Sequence, residues 1–502
     1  MAARTAVETE TTVDVGPGWT MPDVAALVPR VAAAVPVGVR RLAATYLDTA
    51  DLALLRGRVT LRRRTGGPDA GWHLKLPLPD ARLEVRHEAP RPPSDPPVAL
   101  TDLVRARTRG APLGPVAVLR TTRTVTHLLD PSGVVLAEVV DDRVVARRPG
   151  DPRPPRRWRE VEVELVAGDR HLLDAVVDVL LTHGARPAAS QSKLARALAD
   201  GPAPAAPSGP PRTWATAGDV VLAYLAAQVE EVVGRDPQVR LDLPDAVHRM
   251  RVAARRLRST LDTYRRLLDA DVVRHLRSEL RWWGTVLGAA RDAEVLRERL
   301  IGELGDLPRA HGSGPAADRL RAELDRGLEE ARAALLDALG GRRYLTLLED
   351  LGSLVARPAW TDRAARPPAT LNRAVRRTVR RVRRTLRSAG GTPEGAALDT
   401  ALHEARKAAK AARYAAESVT GLVGEPAERL AERMTGLQDL LGEHQDGLVV
   451  RARLSGLAAG AGRGEPMTGT LEALAVLERG RHRDGAVVLA EARALTPERW
   501  AG

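Results

Sequence analysis

The chain has 502 residues, 44% of them hydrophobic and 28% charged, and a formal net charge of +13. That length exceeds one ordinary core and predicts two or more domains, while the basic balance favours anionic partners. The absence of cysteine excludes disulfides, thiolate metal sites and cysteine nucleophiles, and the absence of Phe leaves Leu, Val and Ala to fill the core.

The first 15 residues carry no apolar signal core, and no run of 18 or more apolar residues follows. The expectation is a soluble, cytoplasmic protein with no inserted membrane segment. Residues 1–198 read as β-rich: short alternating segments at 7–15, 59–64, 71–76, 83–87, 116–128, 134–140, 143–147 and 158–166 are punctuated by Gly, Pro and Asp. Helices are predicted at 21–33, 171–182 and 192–198. Strands of this length and spacing favour a barrel or a sandwich. Residues 199–213 (ADGPAPAAPSGPPRT) form a linker by composition. Residues 214–502 read as helical, with Leu/Ala/Arg/Glu-rich stretches from 217 to 490 broken near 308–314, 357–368 and 390–395. The fold class expected is multidomain α+β.

The helical half repeats itself. His248-x-x-Arg251 is followed by Leu287-Gly288-x-x-Arg291-Asp292, and His403-x-x-Arg406-Lys407 by Leu441-Gly442-x-x-Gln445-Asp446. His to Gly spans 40 residues in the first copy and 39 in the second. Matched spacing of this kind predicts two related helical bundles. In the first copy His248, Arg251, Arg255 and Arg258 share one helix stripe. In the second, His403, Arg406, Lys410 and Arg413 do the same, with Lys407 beside them. Stacked cations repel unless an anion neutralises them, and Arg grips two phosphate oxygens at once. The run 371–387 holds eight Arg; it either extends the ladder or is a solvated face. A zinc site is rejected, because no cysteines or suitably spaced histidines accompany His248 and His403.

In the β-rich half, side chains two apart share a face. Glu8 with Glu10, Arg62 with Arg64, Glu84 with Arg86, and Glu160, Glu162 and Glu164 are such sets, interleaved with apolar residues. One reading is a sandwich with salt-bridged outer strands. The other is a wide barrel with a charged lumen, in which Arg62, Arg64, Lys75, Arg86, Arg120 and Arg123 bind a row of phosphates. Glu8, Glu10, Glu138, Asp142, Glu160 and Glu162 would then hold divalent cations.

These residues resemble the CYTH family, the triphosphate tunnel metalloenzymes and class IV adenylate cyclases. The resemblance is carried by Glu8-Thr9-Glu10, Tyr46-Leu47-Asp48-Thr49, Leu61-Arg62-Arg63-Arg64, Trp72-x-x-Lys75, Arg120-x-x-Arg123, Glu138 to Asp142, Glu160-x-Glu162-x-Glu164 and Ser192-Lys193. It departs at Thr12, where the family's opening motif has Lys. It implies an eight-stranded antiparallel β-barrel with flanking helices. It also implies Mg²⁺ or Mn²⁺ held by Glu8 and Glu10 with Glu160 or Glu162, and hydrolysis of triphosphate or polyphosphate. Lys193 joins the substrate-binding set, and Glu8, Glu10, Arg62, Arg64, Lys75, Glu160 and Glu162 form the catalytic set. Residues 214–500 are similar to the CHAD family of polyphosphate-binding helical domains, through the two repeated motifs. The resemblance implies inorganic polyphosphate as partner and polyphosphate granules as a candidate location. Asp292 and Asp446 are expected to cap a helix or orient an Arg.

Three alternatives stay open: a non-enzymatic polyphosphate-binding or targeting protein with a degenerate first domain, an adenylate cyclase, and a nucleic-acid binder. The scarcity of aromatics, 3% of the chain, disfavours sequence-specific nucleic-acid recognition.

Overall fold

The computed structural model describes residues 4–88, 95–199, 214–460, 466–481, 483–496 and 500. The chain divides into two compact units, Met1–Ser208 and Gly209–Gly502. Apart from Ala199, the linker expected at 199–213 lies outside the described residues.

The first unit is built on ten strands: β1 (Arg4–Glu8), β2 (Glu10–Asp14), β3 (Ala33–Asp48), β4 (Thr60–Thr65), β5 (Gly71–Pro77), β6 (Arg82–His87), β7 (Gly114–Leu129), β8 (Val135–Arg147), β9 (Arg156–Leu165) and β10 (Arg186–Pro187). Their order is β1-β6-β5-β4-β3-β7-β8-β9-β2-β10, with every pairing antiparallel. This corrects the expected eight-stranded closed barrel. Among the described residues the sheet has ten strands, and its outer strands β1 and β10 do not pair with each other. The cause is a break at Thr9. It splits one expected strand into β1, which pairs with β6, and β2, which pairs with β9, and the short β10 then covers the free edge of β2.

Helices α1 (Val24–Leu27), α2 (Ala53–Arg56), α3 (Val98–Thr108), α4 (Arg170–Thr182) and α5 (Lys193–Ala197) accompany the sheet. The alternation of β9 decides which face each residue takes. Val161 and Val163 are buried against Leu172, Leu173, Val176 and Leu180 of α4, and the interleaved glutamates are left on the other face. Burying each such aliphatic side chain contributes about 1.5–3 kcal/mol. Asp169 caps α4 by accepting from the Leu172 amide. A second core packs Tyr46, Leu119 and Val144 against Leu194, Ala197 and Leu198. That packing fixes α5, and with it Lys193.

The second unit is largely helical, as expected. It comprises α6 (Ala217–Arg240), α7 (Ala246–Thr263), α8 (Ala270–Asp306), α9 (Arg309–Gly312), α10 (Pro315–Gly340), α11 (Arg342–Ala356), α12 (Asn372–Ala389), α13 (Ala396–Glu417), α14 (Thr420–Val423), α15 (Glu425–Gly460), α16 (Pro466–Arg481) and α17 (Gly485–Leu495). Helix α7 packs on α6 and α8, α13 packs on α12 and α15, and α7 meets α13. The two His–Arg stripes therefore lie on adjoining helices. The Arg run falls on α12, whose Val375, Val379, Val382 and Leu386 are buried and whose arginines are exposed.

Candidate functional site

In the first unit a cavity of about 270 Å³ is lined by charges of both signs. Arg62 and Arg64, two apart on β4, both point into it. Arg62 donates to the Tyr46 hydroxyl at 3.2 Å, and Arg64 pairs with Asp69. Burial, then the adjacent Arg62, bring Arg64 down to about 10. His73, also buried, lies 2.9 Å from a Glu84 oxygen and 2.7 Å from the Asp69 carbonyl.

Elsewhere on the lining, Lys75 reaches Glu8 at 2.6 Å and Glu10 at 3.5 Å, and Arg86 reaches Glu8 at 3.2 Å. Glu164 is the register partner of both Glu10 on β2 and Glu138 on β8. Burial pushes Glu164 up to about 7; Glu8, Glu10 and Glu138 add repulsion that Lys75 only partly offsets. Glu8, Glu10, Glu138 and Glu164 all line the cavity, with Lys75 between Glu8 and Glu10; carboxylate oxygens are the donors a hard divalent cation takes.

A second acidic group, Asp142, Glu160 and Glu162, brings its oxygens within 4.8 Å of one another. Here the charge is already answered. The Lys193 ammonium lies 3.0 Å from Asp142 and 2.7 Å from Glu160, and it also pairs with Glu162. Arg123 holds both Asp142 oxygens, at 2.8 and 2.7 Å, and one Glu162 oxygen at 2.8 Å. A metal ion entering this triad would have to displace the ammonium. Thr12 pairs in register with Glu162, and its backbone is held by Gln191 at 2.9 and 3.2 Å. The cations near Glu162 thus come from Arg123 and Lys193.

In the second unit, α7 and α13 gather cations. Burial lowers Lys410 to about 7, helped by Arg406, Arg255 and Arg251 and opposed by Asp446. Burial likewise lowers Arg255, against Tyr414 and with Arg251 and Arg406 adding to it. The Nε atoms of Arg255 and Arg406 are buried without a hydrogen-bond partner. Crowded, partly desolvated guanidiniums carry a repulsive cost that an anion removes. Burial lowers both His248 and His403.

Residues 25–197 match the CYTH domain family and residues 223–455 match the CHAD domain family. Two uncharacterized proteins of Mycobacterium tuberculosis, MT2285 and Rv2226, are each 38% identical over 430 residues, which is 83% of this chain and 82% of theirs. The chain is a CYTH–CHAD domain protein. Among solved structures it is similar to PptA from Streptomyces chartreusis, at 25% identity and a TM-score of 0.43 over 57% of this chain and 99% of that one. It is also similar to the CHAD domain of Ricinus communis, at 24% identity and a TM-score of 0.44 over 57% and 94%.

Of the residues nominated in the CYTH region, Glu8, Glu10, Arg62, Arg64, Lys75, Arg86, Arg123, Glu138, Glu162 and Lys193 line one cavity. Asp142 and Glu160 are buried and tied to Lys193. Arg120 is exposed and is not part of that lining; three steps from Arg123 on β7, it takes the opposite face. In the CHAD region, Arg251, Arg255, Arg406 and Lys410 come together, and Arg258 sits near Arg277 and Arg281. Arg413 is engaged by Glu417 at 2.7 Å, and exposed Lys407 by Glu404 at 2.8 Å. Asp292 and Asp446 lie inside α8 and α15 and cap nothing; they face Arg251 at 3.5 Å and Arg406 at 3.3 Å. Sequence reasoning leaves Glu164, Tyr46, Arg40, Asp69 and Arg82 out of the site, although all line the cavity. Glu164 is findable as the third member of the β9 alternation, whereas Arg40 joins only through its pairing with Arg123 across β3 and β7.

Proposed function

We propose that the CYTH region binds linear phosphoanhydrides and hydrolyses inorganic triphosphate or polyphosphate with Mg²⁺ or Mn²⁺, and that the CHAD region binds inorganic polyphosphate. The observation that carries this reading is the single cavity whose lining brings Arg62, Arg64 and Arg123 together with Glu8, Glu10, Glu138 and Glu164. Arg62, Arg64 and Arg123, with Lys75 and Arg86, hold phosphoryl oxygens and orient the chain of phosphates. Glu8, Glu10, Glu138 and Glu164 are the residues that would hold the cation. When bound, it neutralises phosphate charge and acidifies water. This choice differs from a ligand set built on Glu160 and Glu162, because Lys193 occupies the centre of that group. Water adds to the terminal phosphorus, the P–O–P bond breaks, and orthophosphate leaves a chain one unit shorter. In the CHAD region Arg251, Arg255, Arg406 and Lys410 supply the polymer contacts.

A second reading, phosphate-polymer binding without turnover, is favoured by Thr12 and by the ion pairs that Lys193 and Arg123 already make. Calorimetric titration of triphosphate with and without Mg²⁺, repeated on Arg62→Ala/Arg64→Ala, tests the cavity assignment. Binding that the variant loses supports it; equal binding by both proteins refutes it.

A further inference from the structure

The internal repeat contains a glycine that helix chemistry does not ask for. Gly288 and Gly442 are buried within α8 and α15, where glycine is a poor helix former. Neighbouring helical glycines have no steric reason to be glycine: a Cβ at Gly284, Gly302, Gly305 or Gly436 would meet nothing within 4 Å. The two repeat positions differ. A Cβ at Gly442 would stand 2.9 Å from Arg406 Nη2 and 3.3 Å from its Cζ, and one at Gly288 would stand 3.6 Å from Arg251 Nη2. Four residues on, and so on the same helix face, Asp446 meets the Arg406 guanidinium at 3.3 Å and Asp292 meets that of Arg251 at 3.5 Å. Each copy therefore seats one guanidinium, with a bare backbone beneath it and a carboxylate beside it.

We propose that Gly442 is a positioning residue of the CHAD anion site, holding open the space in which Arg406 packs beside Lys410, while its counterpart Gly288 leaves room for a Cβ beside Arg251. The assignment rests on the polyphosphate-binding reading of this region. The atom that an added methyl meets is the far end of a side chain, so the guanidinium moves and the helix stays.

The test titrates the full chain with long-chain inorganic polyphosphate at several salt concentrations, alongside thermal melts. Gly442→Ala should weaken binding about tenfold, the loss of one charge-assisted contact. It should also flatten the salt dependence by about one ion and leave the melting temperature unchanged or higher. Gly288→Ala should cost no more than about threefold, as its contact is an ordinary van der Waals one. Wild-type affinity and salt slope in Gly442→Ala would overturn the proposal. So would weaker binding accompanied by a lower melting temperature, which would assign the glycine to packing. Failure of the unaltered chain to bind would instead refute the reading beneath it, and the proposal with it.

Discussion

Lys410 gives the most direct electrostatic test of the CHAD site. Its amine sits at about 7 rather than 10.5, first through burial and then through Arg406, Arg255 and Arg251. A polyanion reverses the sign of that surrounding potential, so the bound complex should return the amine toward its ordinary value and binding should take up a proton. A tenfold change in the proton affinity of the amine is worth about 1.4 kcal/mol. Affinity for the polymer should therefore fall by up to about tenfold per pH unit above neutrality, until the bound-state value is passed. The assay is titration with long-chain polyphosphate, whose interior phosphates do not titrate here, at fixed ionic strength from about pH 6 to pH 9. Proton uptake is read from the dependence of the heat on buffer ionisation. Lys410→Met should bind more weakly at neutral pH and lose the slope. Parallel pH profiles for the two proteins, or no proton uptake by the wild type, would refute the reasoning. In the free protein the same amine acts on stability. The unfolded chain binds this proton up to about 10.5 and the folded chain only up to about 7. The Lys410 contribution to stability therefore rises with pH across that window, and the full penalty is present below it.

Other outcomes follow from the same structure. Replacing Arg251, Arg255, Arg406 and Lys410 together by Ala should weaken polyphosphate binding while the helical circular-dichroism signal persists; unchanged affinity in calorimetry would move the site. Glu164→Gln should raise the melting temperature of metal-free protein at about pH 8. The wild-type carboxyl titrates near 7, above its ordinary 4.5, so its ionisation destabilises the fold as pH rises through that window. The same variant should shrink the melting shift produced by Mg²⁺. Trp283 is fully buried, with its ring centroid 4.4 Å from that of Tyr344. Trp283→Ala should cost about 3–5 kcal/mol in denaturant unfolding of the helical region; a loss under about 1 kcal/mol would contradict its place in the core.

Periodicity made much of this legible. The alternation of β9 put Glu160, Glu162 and Glu164 on one face because Val161 and Val163 had to be buried, and the duplicated His–Arg spacing put the two basic stripes on helices that meet. What stayed hidden depends on contacts distant in sequence. Nothing at Thr9 marks a strand break: it is neither Gly nor Pro, and the division arises because residues 4–8 and 10–14 pair with different strands. Strand parity separated Arg120 from Arg123, although spacing alone had paired them. Glu417, which ties up Arg256, Arg413 and Tyr224, could not be assigned to those partners before α6, α7 and α13 were brought together. Lys193 was readable as a cation near the end of the β-rich half, but only the packing of α5 places its ammonium among Asp142, Glu160 and Glu162.

On the proposed reading, the charged cavity of the CYTH region acts on phosphate chains with the help of a divalent cation held by its glutamates. Phosphate release from triphosphate, long-chain polyphosphate and ATP, with Mg²⁺ or Mn²⁺ and with Glu8→Gln/Glu10→Gln as control, tests it most directly. The account predicts metal-dependent release from triphosphate or polyphosphate that the double variant loses. Undiminished release by the variant would place the metal elsewhere, and no release by the wild-type chain would contradict turnover in the cavity.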